Sequence, residues 1–226
     1  LVKTHKELTL LTKLYDLYME VVNTLESYNE LTWSSVMERI ENMAEQMTAS
    51  DLQCKRLPKS LREWEAYNDL QLRVTNFLNI LPLLQDLSKD SIQNRHWVQV
   101  MQVTGSNFVV DANELTLRTL LNADLLRVKD DIEDICDSAD KQMAIDTKLS
   151  EVRGKWSQAS LTFEPYPGKK ISLLKGYGQI IEDLEESQLA LQTMLSMRHV
   201  GPFRDSASSM LSSLSDTADT LELWVQ

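Results

Sequence analysis

The sequence predicts an all-α fold, an elongated multi-helix bundle or rod that carries one small β-hairpin. Three observations lead there. Only 6 Gly and 5 Pro punctuate 226 residues, leaving stretches too long and unbroken for a many-turned sheet protein. Apolar residues recur at spacings of three and four over most of the chain, the period of a helix with one buried face. The period changes to alternation around "SLTFEPYPGKKISLL", where Pro165, Pro167 and Gly168 split two short strands. At 42% hydrophobic and 25% charged, the chain has the material for a sizeable core.

In the first helix Leu8, Leu11, Tyr15, Tyr18, Val22 and Leu25 mark a coiled-coil-like seam. After the break at "ELTWSS", Val36, Ile40, Met43 and Met47 define the buried stripe of a second helix. A third has Pro58 near its start and is expected to end before Pro82. It presents Leu61 and Trp64 on one face and Tyr67, Leu70, Val74, Phe77 and Leu81 on another. A fourth runs from Ser91 as a possible N-cap to Gly105 as the glycine that ends it.

"FVVDANELTLRTLLNA" reads as a loop with a short helix, followed by a long helix from about Asp124 to Gln158. Its stripe of Leu125, Val128, Ile132, Ile135, Ala139 and Met143 gives way to a second one of Ile145, Leu149, Val152 and Trp156. The second stripe is rotated from the first, and such a phase shift predicts a change of packing partner or a local stutter. Past the hairpin, one helix carries Ile181, Leu184, Leu191 and Leu195. The last carries Phe203, Ala207, Leu211, Leu214, Ala218, Leu221 and Val225, with the Ser-rich "DSASSMLSSLSD" as its solvated face.

The composition also excludes functions. A net charge of −11 works against contact with nucleic acid, which depends on clustered Lys and Arg. No apolar run reaches the ~18 to 20 residues of a membrane span, and "LVKTHKELTL" holds no signal-peptide core, so a soluble chain with no membrane partner is expected. Cys54 and Cys136 fit a reducing compartment, with no metal-ligand spacing around them. The chain opens on Leu1 rather than Met and its last apolar stripe is still running at "TLELWVQ", so a segment of a longer protein is expected.

No phosphate loop is complete: "PYPGKK" and "KGYGQ" both miss the required glycine spacing. His5, His96 and His199 share no metal pattern, and neither a G-x-S-x-G nor an H-E-x-x-H motif occurs. The carboxylate pairs Asp130 with Asp134 and Glu182 with Glu186 lie one helical turn apart, as acidic helices produce by chance, with nothing apolar beside them to raise a pKa. No catalytic, cofactor-binding or metal residue is expected.

The one provocative cluster is Arg95, His96 and Trp97. On a helical wheel His96 falls inside the arc of Ile92, Trp97, Val100, Met101 and Val103, with Arg95 at its border. A polar residue on an apolar arc has to find a partner, and a large ring there is a packing anchor, so the triplet is expected to be a structural joint.

Four stretches in order carry a family resemblance: "LPLLQDLSKDSIQNRHWVQVMQVTG", "DDIEDICDSADKQMAIDTKLSEVRGKW", "LEESQLALQTMLSMRHVGPF" and "LELWVQ". From roughly Leu57 to Gln226 the chain resembles the dynein heavy chain just before its motor ring, at the end of the tail and the first part of the linker. "VTG" and "LQTMLSMRHVGPF" resemble axonemal heavy chains more than the cytoplasmic form. Asn94 stands where the family often carries Asp or Arg before Arg-His-Trp.

The resemblance implies residues 1–88 as a helical end-of-tail segment and 89–226 as the N-terminal part of the linker. It implies a mechanical lever, transmitting ATP-driven changes of an AAA+ ring into microtubule sliding for ciliary or flagellar beating. Its partners would be the ring of the same heavy chain and, through the tail, dynein intermediate and light chains. Microtubules and ATP would be engaged only by the rest of the parent motor, a microtubule-stimulated ATPase in the axoneme, with no cofactor and no catalysis in this segment. The alternatives are a passive spectrin-like spacer, which predicts an internal repeat that the sequence lacks, and an enzyme, which needs a polar pocket no motif suggests.

Overall fold

The computed structural model describes residues 2–111 and 113–225. In chain order these form α1 (Val2–Asn29), α2 (Trp33–Arg56), α3 (Glu65–Leu87), α4 (Asn94–Thr104), α5 (Leu117–Asn122) and α6 (Lys129–Gln158). β1 (Thr162–Pro165), β2 (Ser172–Lys175), α7 (Tyr177–Ser196) and α8 (Arg204–Val225) follow. Among the described residues the fold is all-α with one antiparallel hairpin, as the periodicity predicts. None of these helices is long and apolar enough to cross a membrane. The chain divides into two compact units, 1–137 and 138–226.

Unit 1 is built on two apolar clusters. One joins Leu14, Leu17 and Val21 of α1 to Cys54, Tyr67, Leu70 and Val74. This is not the seam expected for α1. Leu8 and Tyr15 are exposed, and the buried line is displaced to the adjacent stripe. That stripe is aliphatic over Leu14, Leu17 and Val21, whereas the expected one holds two tyrosines whose hydroxyls would need partners if buried. Tyr18 sits at the edge, its hydroxyl donating to Asp69 Oδ2 at 2.7 Å.

The second cluster takes Val36, Ile40, Met43 and Met47 from α2, all on the expected stripe, with the end of α3, Trp97 and Val100 of α4, and Ile132 and Ile135 of α6. Here α3 departs from expectation, because it runs on to Leu87 with Pro82 inside it. A proline in a helix interior costs about 3 kcal/mol. Leu83, Leu84 and Leu87 are buried by the extra turns, and each contributes roughly 1.5–3 kcal/mol. Three leucines outweigh one proline. The start differs as well: Lys59–Leu61 is a separate 3-10 turn and Trp64 only caps α3, so Leu61 and Trp64 form no helical face, and Leu61 is buried while Trp64 is exposed.

The long helix α6 begins at Lys129 rather than Asp124, because Asp124 takes a left-handed φ of 50° and opens a 3-10 turn over Leu125–Val128. The expected change of packing partner is there, since Ile132 and Ile135 belong to one core cluster and Ile145 and Leu149 to another, but it needs no rotation of the stripe. The buried positions Ile132, Ile135, Ala139, Gln142, Ile145 and Leu149 follow spacings of three and four without a break, and Met143 is 45% exposed. The polar Gln142 interrupts the hydrophobic pattern on the sequence but not in space. Its Nε2 donates to Ser138 Oγ at 3.2 Å, which lies 3.1 Å from His199 Nδ1, so the buried amide is paired.

Unit 2 packs Ile145 and Leu149 of α6 against Leu184, Leu191 and Met194 of α7 and Ala207, Leu214 and Leu221 of α8. These follow the expected stripes except at Met194, which is buried in place of the expected Leu195, itself only half-buried, and Ser208, Ser209, Ser212 and Ser213 are solvated as expected. The hairpin pairs Thr162 with Lys175 through Pro165 with Ser172.

Candidate functional site

The Arg95, His96, Trp97 triplet opens α4, the shortest helix that contributes to the core around α2 and α3 apart from α5. The N-cap is Gln93 rather than the expected Ser91, which is itself buried. The reason lies in His96. Gln93 and His96 form a reciprocal capping box, and the Gln93 N–H donates to His96 Nδ1 at 3.0 Å. A histidine thus takes the role that Glu or Gln more often plays at the third helical position. Because Nδ1 accepts, the ring hydrogen stands on Nε2.

His96 is fully buried, and among the described residues every buried side-chain nitrogen and oxygen has a hydrogen-bond partner. The ring therefore serves the core and the cap together. Arg95 is half-buried, with its Nη1 donating to Gln93 Oε1. Both polar members of the triplet converge on the residue that begins the helix.

Trp97 is 5% exposed and meets two other rings edge to face. Trp33, the first residue of α2, lies 5.6 Å away at 89°, and Phe108, in the segment after α4, lies 6.1 Å away at 81°. Edge-to-face pairs at such distances add about 0.5–1.5 kcal/mol each beyond burial. Trp33 is held in turn by the backbone. Its N–H donates to Leu115 C=O at 2.7 Å, the Leu117 N–H donates to Leu31 C=O at 2.9 Å, and Thr32 and Thr116 form an isolated bridge.

The far end of α4 is tied as well. Gly105 adopts φ 70° as the expected terminating glycine, and Arg127 Nη2 donates to the Thr104 carbonyl at 3.1 Å. The structure thus brings Arg95, His96 and Trp97 together with Gln93, Trp33, Phe108 and Arg127, four residues the sequence reading did not single out. Trp33 alone had a signal, a large ring directly after a helix break.

Elsewhere the chemistry is that of solvated helices. Asp130, Asp134, Glu182 and Glu186 are exposed, and among the described residues no cluster of His, Cys, Asp or Glu is arranged to hold a metal. In unit 2 an open cleft is lined by Lys155, Trp156, Asp183 and Leu221. Lys155 bridges Asp183 and Glu186, each at 3.1 Å, and these bonds raise its pKa. Trp156 Nε1 donates to Ser187 Oγ at 2.9 Å. Each group is engaged by its neighbour, which is the signature of packing.

Both cysteines are buried and neither is in a disulfide. Burial first, and Asp51 second, push the Cys54 thiol up to about 11. Since the thiolate is the reactive form, Cys54 in the folded chain at pH 8 should be alkylated by iodoacetamide at least about tenfold more slowly than after unfolding in urea. Mass spectrometry of timed samples measures this, and equal rates would place the thiol at the surface.

Comparison with known proteins decides the family. Residues 1–226 match the family described as dynein heavy chain, N-terminal region 2. The chain belongs to the dynein heavy chain family. It is 38% identical over 225 residues to human dynein axonemal heavy chain 8, which covers 99% of this chain and 5% of that one. Over the same length and coverage it is 37% identical to the dynein gamma chain of the flagellar outer arm of Chlamydomonas reinhardtii. It is also 33% identical over 221 residues to the ciliary dynein beta chain of Tripneustes gratilla, covering 98% of this chain and 5% of that one. The chain therefore spans about a twentieth of the length of these dynein heavy chains, and the match extends through α1 and α2, beyond the stretches that carried the sequence resemblance.

Proposed function

We propose that this chain is a mechanical segment of an axonemal dynein heavy chain, a part of the lever that carries ATP-driven changes of the AAA+ ring into microtubule sliding in cilia or flagella. The observation that carries this reading is the whole-length match to the heavy-chain N-terminal region, with axonemal, flagellar and ciliary chains among the relatives. The geometry supports it. α4 is secured at its N-terminus by His96 and Gln93, along its length by Trp97, and at its C-terminus by Arg127. A segment that bears load without doing chemistry needs such cross-ties. Arg95, His96 and Trp97 are, on this reading, the joint where tail helices hand over to the linker.

In this proposal the ring of the same heavy chain is the principal partner, intermediate and light chains bind through the tail, and microtubules are met only by the parent motor. The segment itself uses no cofactor. The isolated chain should then neither turn over ATP nor sediment with microtubules at physiological salt, since its net charge of −11 repels the acidic tubulin surface. Turnover above a blank, or salt-resistant sedimentation, contradicts the proposal.

A passive spacer would behave alike in that assay, so a second one separates the two. In the complete heavy chain, residues 1–226 are exchanged for an unrelated helical spacer of the same number of residues. A lever segment predicts that basal nucleotide turnover survives while gliding is lost, whereas a spacer predicts that gliding continues.

A further inference from the structure

β1 and β2 form a two-stranded sheet, and no other strand of the described residues pairs with either edge. A hairpin of that size is marginal by itself, and nearly all of it is exposed. The register determines what each edge offers. The Tyr166 N–H donates to the Ile171 carbonyl at 2.9 Å, so 166 and 171 are a hydrogen-bonded pair in the register that sets 165 against 172 and 163 against 174. Antiparallel pairs alternate. The N–H and C=O groups of 164, 173, 162 and 175 therefore turn inward, and those of 163, 165, 172 and 174 turn outward.

On β1 one of the two outward positions is Pro165, which has no N–H and blunts that edge. The edge of β2 is intact. Ser172 and Leu174 each turn a donor and an acceptor away from β1. One face of the hairpin is already occupied, with Leu174 against the unit 2 core and Phe163 5.8 Å from Trp224. The other face leaves Ile171 at 52% and Leu173 at 50% exposed. Around them stand Lys169, Lys170 and Lys175 against the single acid Glu164, a local excess of positive charge in a chain of net charge −11.

We propose that the outer edge of β2 is a docking site for an extended acidic segment of a partner polypeptide, which joins the hairpin as a third strand. Backbone hydrogen bonds to Ser172 and Leu174 set its register, as in other cases of strand addition. Apolar side chains of the incoming strand lie beside Ile171 and Leu173, and its carboxylates meet Lys169 and Lys170. A second copy of this chain fits poorly, because it brings the same lysines to the edge and the same net charge to the encounter.

The test titrates the 226-residue chain with a short labelled peptide of alternating Glu and Val. Saturable binding is expected, with the amide resonances of Ser172 and Leu174 shifting and gaining protection from hydrogen exchange. A peptide of alternating Lys and Val should not bind. Ser172→Pro removes one outward donor without touching the inward ladder and should weaken binding about tenfold, while Ser172→Ala leaves it unchanged. Against any loosening of the hairpin by proline, a peptide N-methylated along one backbone edge should lose binding to the unaltered chain. The proposal is overturned by the absence of saturable binding, equal binding of the lysine peptide, or full affinity for both Ser172→Pro and the methylated peptide. Dimerisation through the hairpin, or preference for an oligonucleotide of matching charge, overturns it as well.

Discussion

Trp97→Ala should destabilise unit 1 by about 3–5 kcal/mol, the range for emptying a large aromatic site in a packed core. The residue is 5% exposed and loses two edge-to-face contacts at once, with Trp33 and with Phe108. Those rings belong to the start of α2 and to the segment after α4, so the loss is felt by three parts of the unit rather than by one helix. Urea unfolding followed by the near-ultraviolet signal of the tryptophans reads the effect. Trp224→Ala is the control. That ring is 59% exposed, and its removal should cost less than about 1 kcal/mol. A Trp97→Ala chain that melts with the parent would mean that the indole is not seated in the core.

Leu84→Ala is expected to cost about 2–5 kcal/mol, comparable with other buried leucine truncations. The prediction bears on the course of α3. If the helix stopped at Pro82, Leu84 would lie on a connecting segment and its truncation would be mild. The structure instead continues the helix to Leu87 and leaves Leu84 with no exposure. The equilibrium unfolding midpoint of Leu84→Ala distinguishes the two, and a shift worth less than about 1 kcal/mol would argue for a helix broken at the proline.

The difference at Pro82 shows where sequence reasoning holds and where tertiary packing overrides it. Local punctuation rules treat proline as a stop because its cost is local, but the gain from Leu83, Leu84 and Leu87 comes from α2 and α4, which lie elsewhere in the chain. α1 makes the same point differently. It carries two adjacent apolar stripes, and the choice between them depends on which one its neighbours α2 and α3 can cover. On α6 the buried line passes through the polar Gln142, whose partner Ser138 allows its burial, whereas an apolar stripe drawn on the sequence runs through Met143 instead. Elements with strong signals of their own were legible, among them α2, the Gly105 terminus of α4 and the hairpin.

The joint was half legible. That His96 lies inside an apolar arc follows from helical spacing alone, and so does the need for it to find a partner. That its partner is the Gln93 backbone N–H, which moves the cap two residues past Ser91, depends on the path of the chain into α4 and has no one-dimensional signal. Nor could spacing bring Trp33 and Trp97 together across more than sixty residues.

The most direct test of a load-bearing role is a complete heavy chain carrying His96→Leu, assayed in parallel for nucleotide turnover and for microtubule gliding. Leucine keeps the apolar arc and deletes the acceptor that caps α4, a local loss of about 1 kcal/mol that should leave the chain folded. A lever segment predicts basal turnover within about twofold of the parent, since no chemistry is removed, together with reduced gliding velocity or force as strain passes through a looser joint. Equal losses in both assays would tie the triplet to the chemistry of the ring, and no loss in either would make it ordinary core.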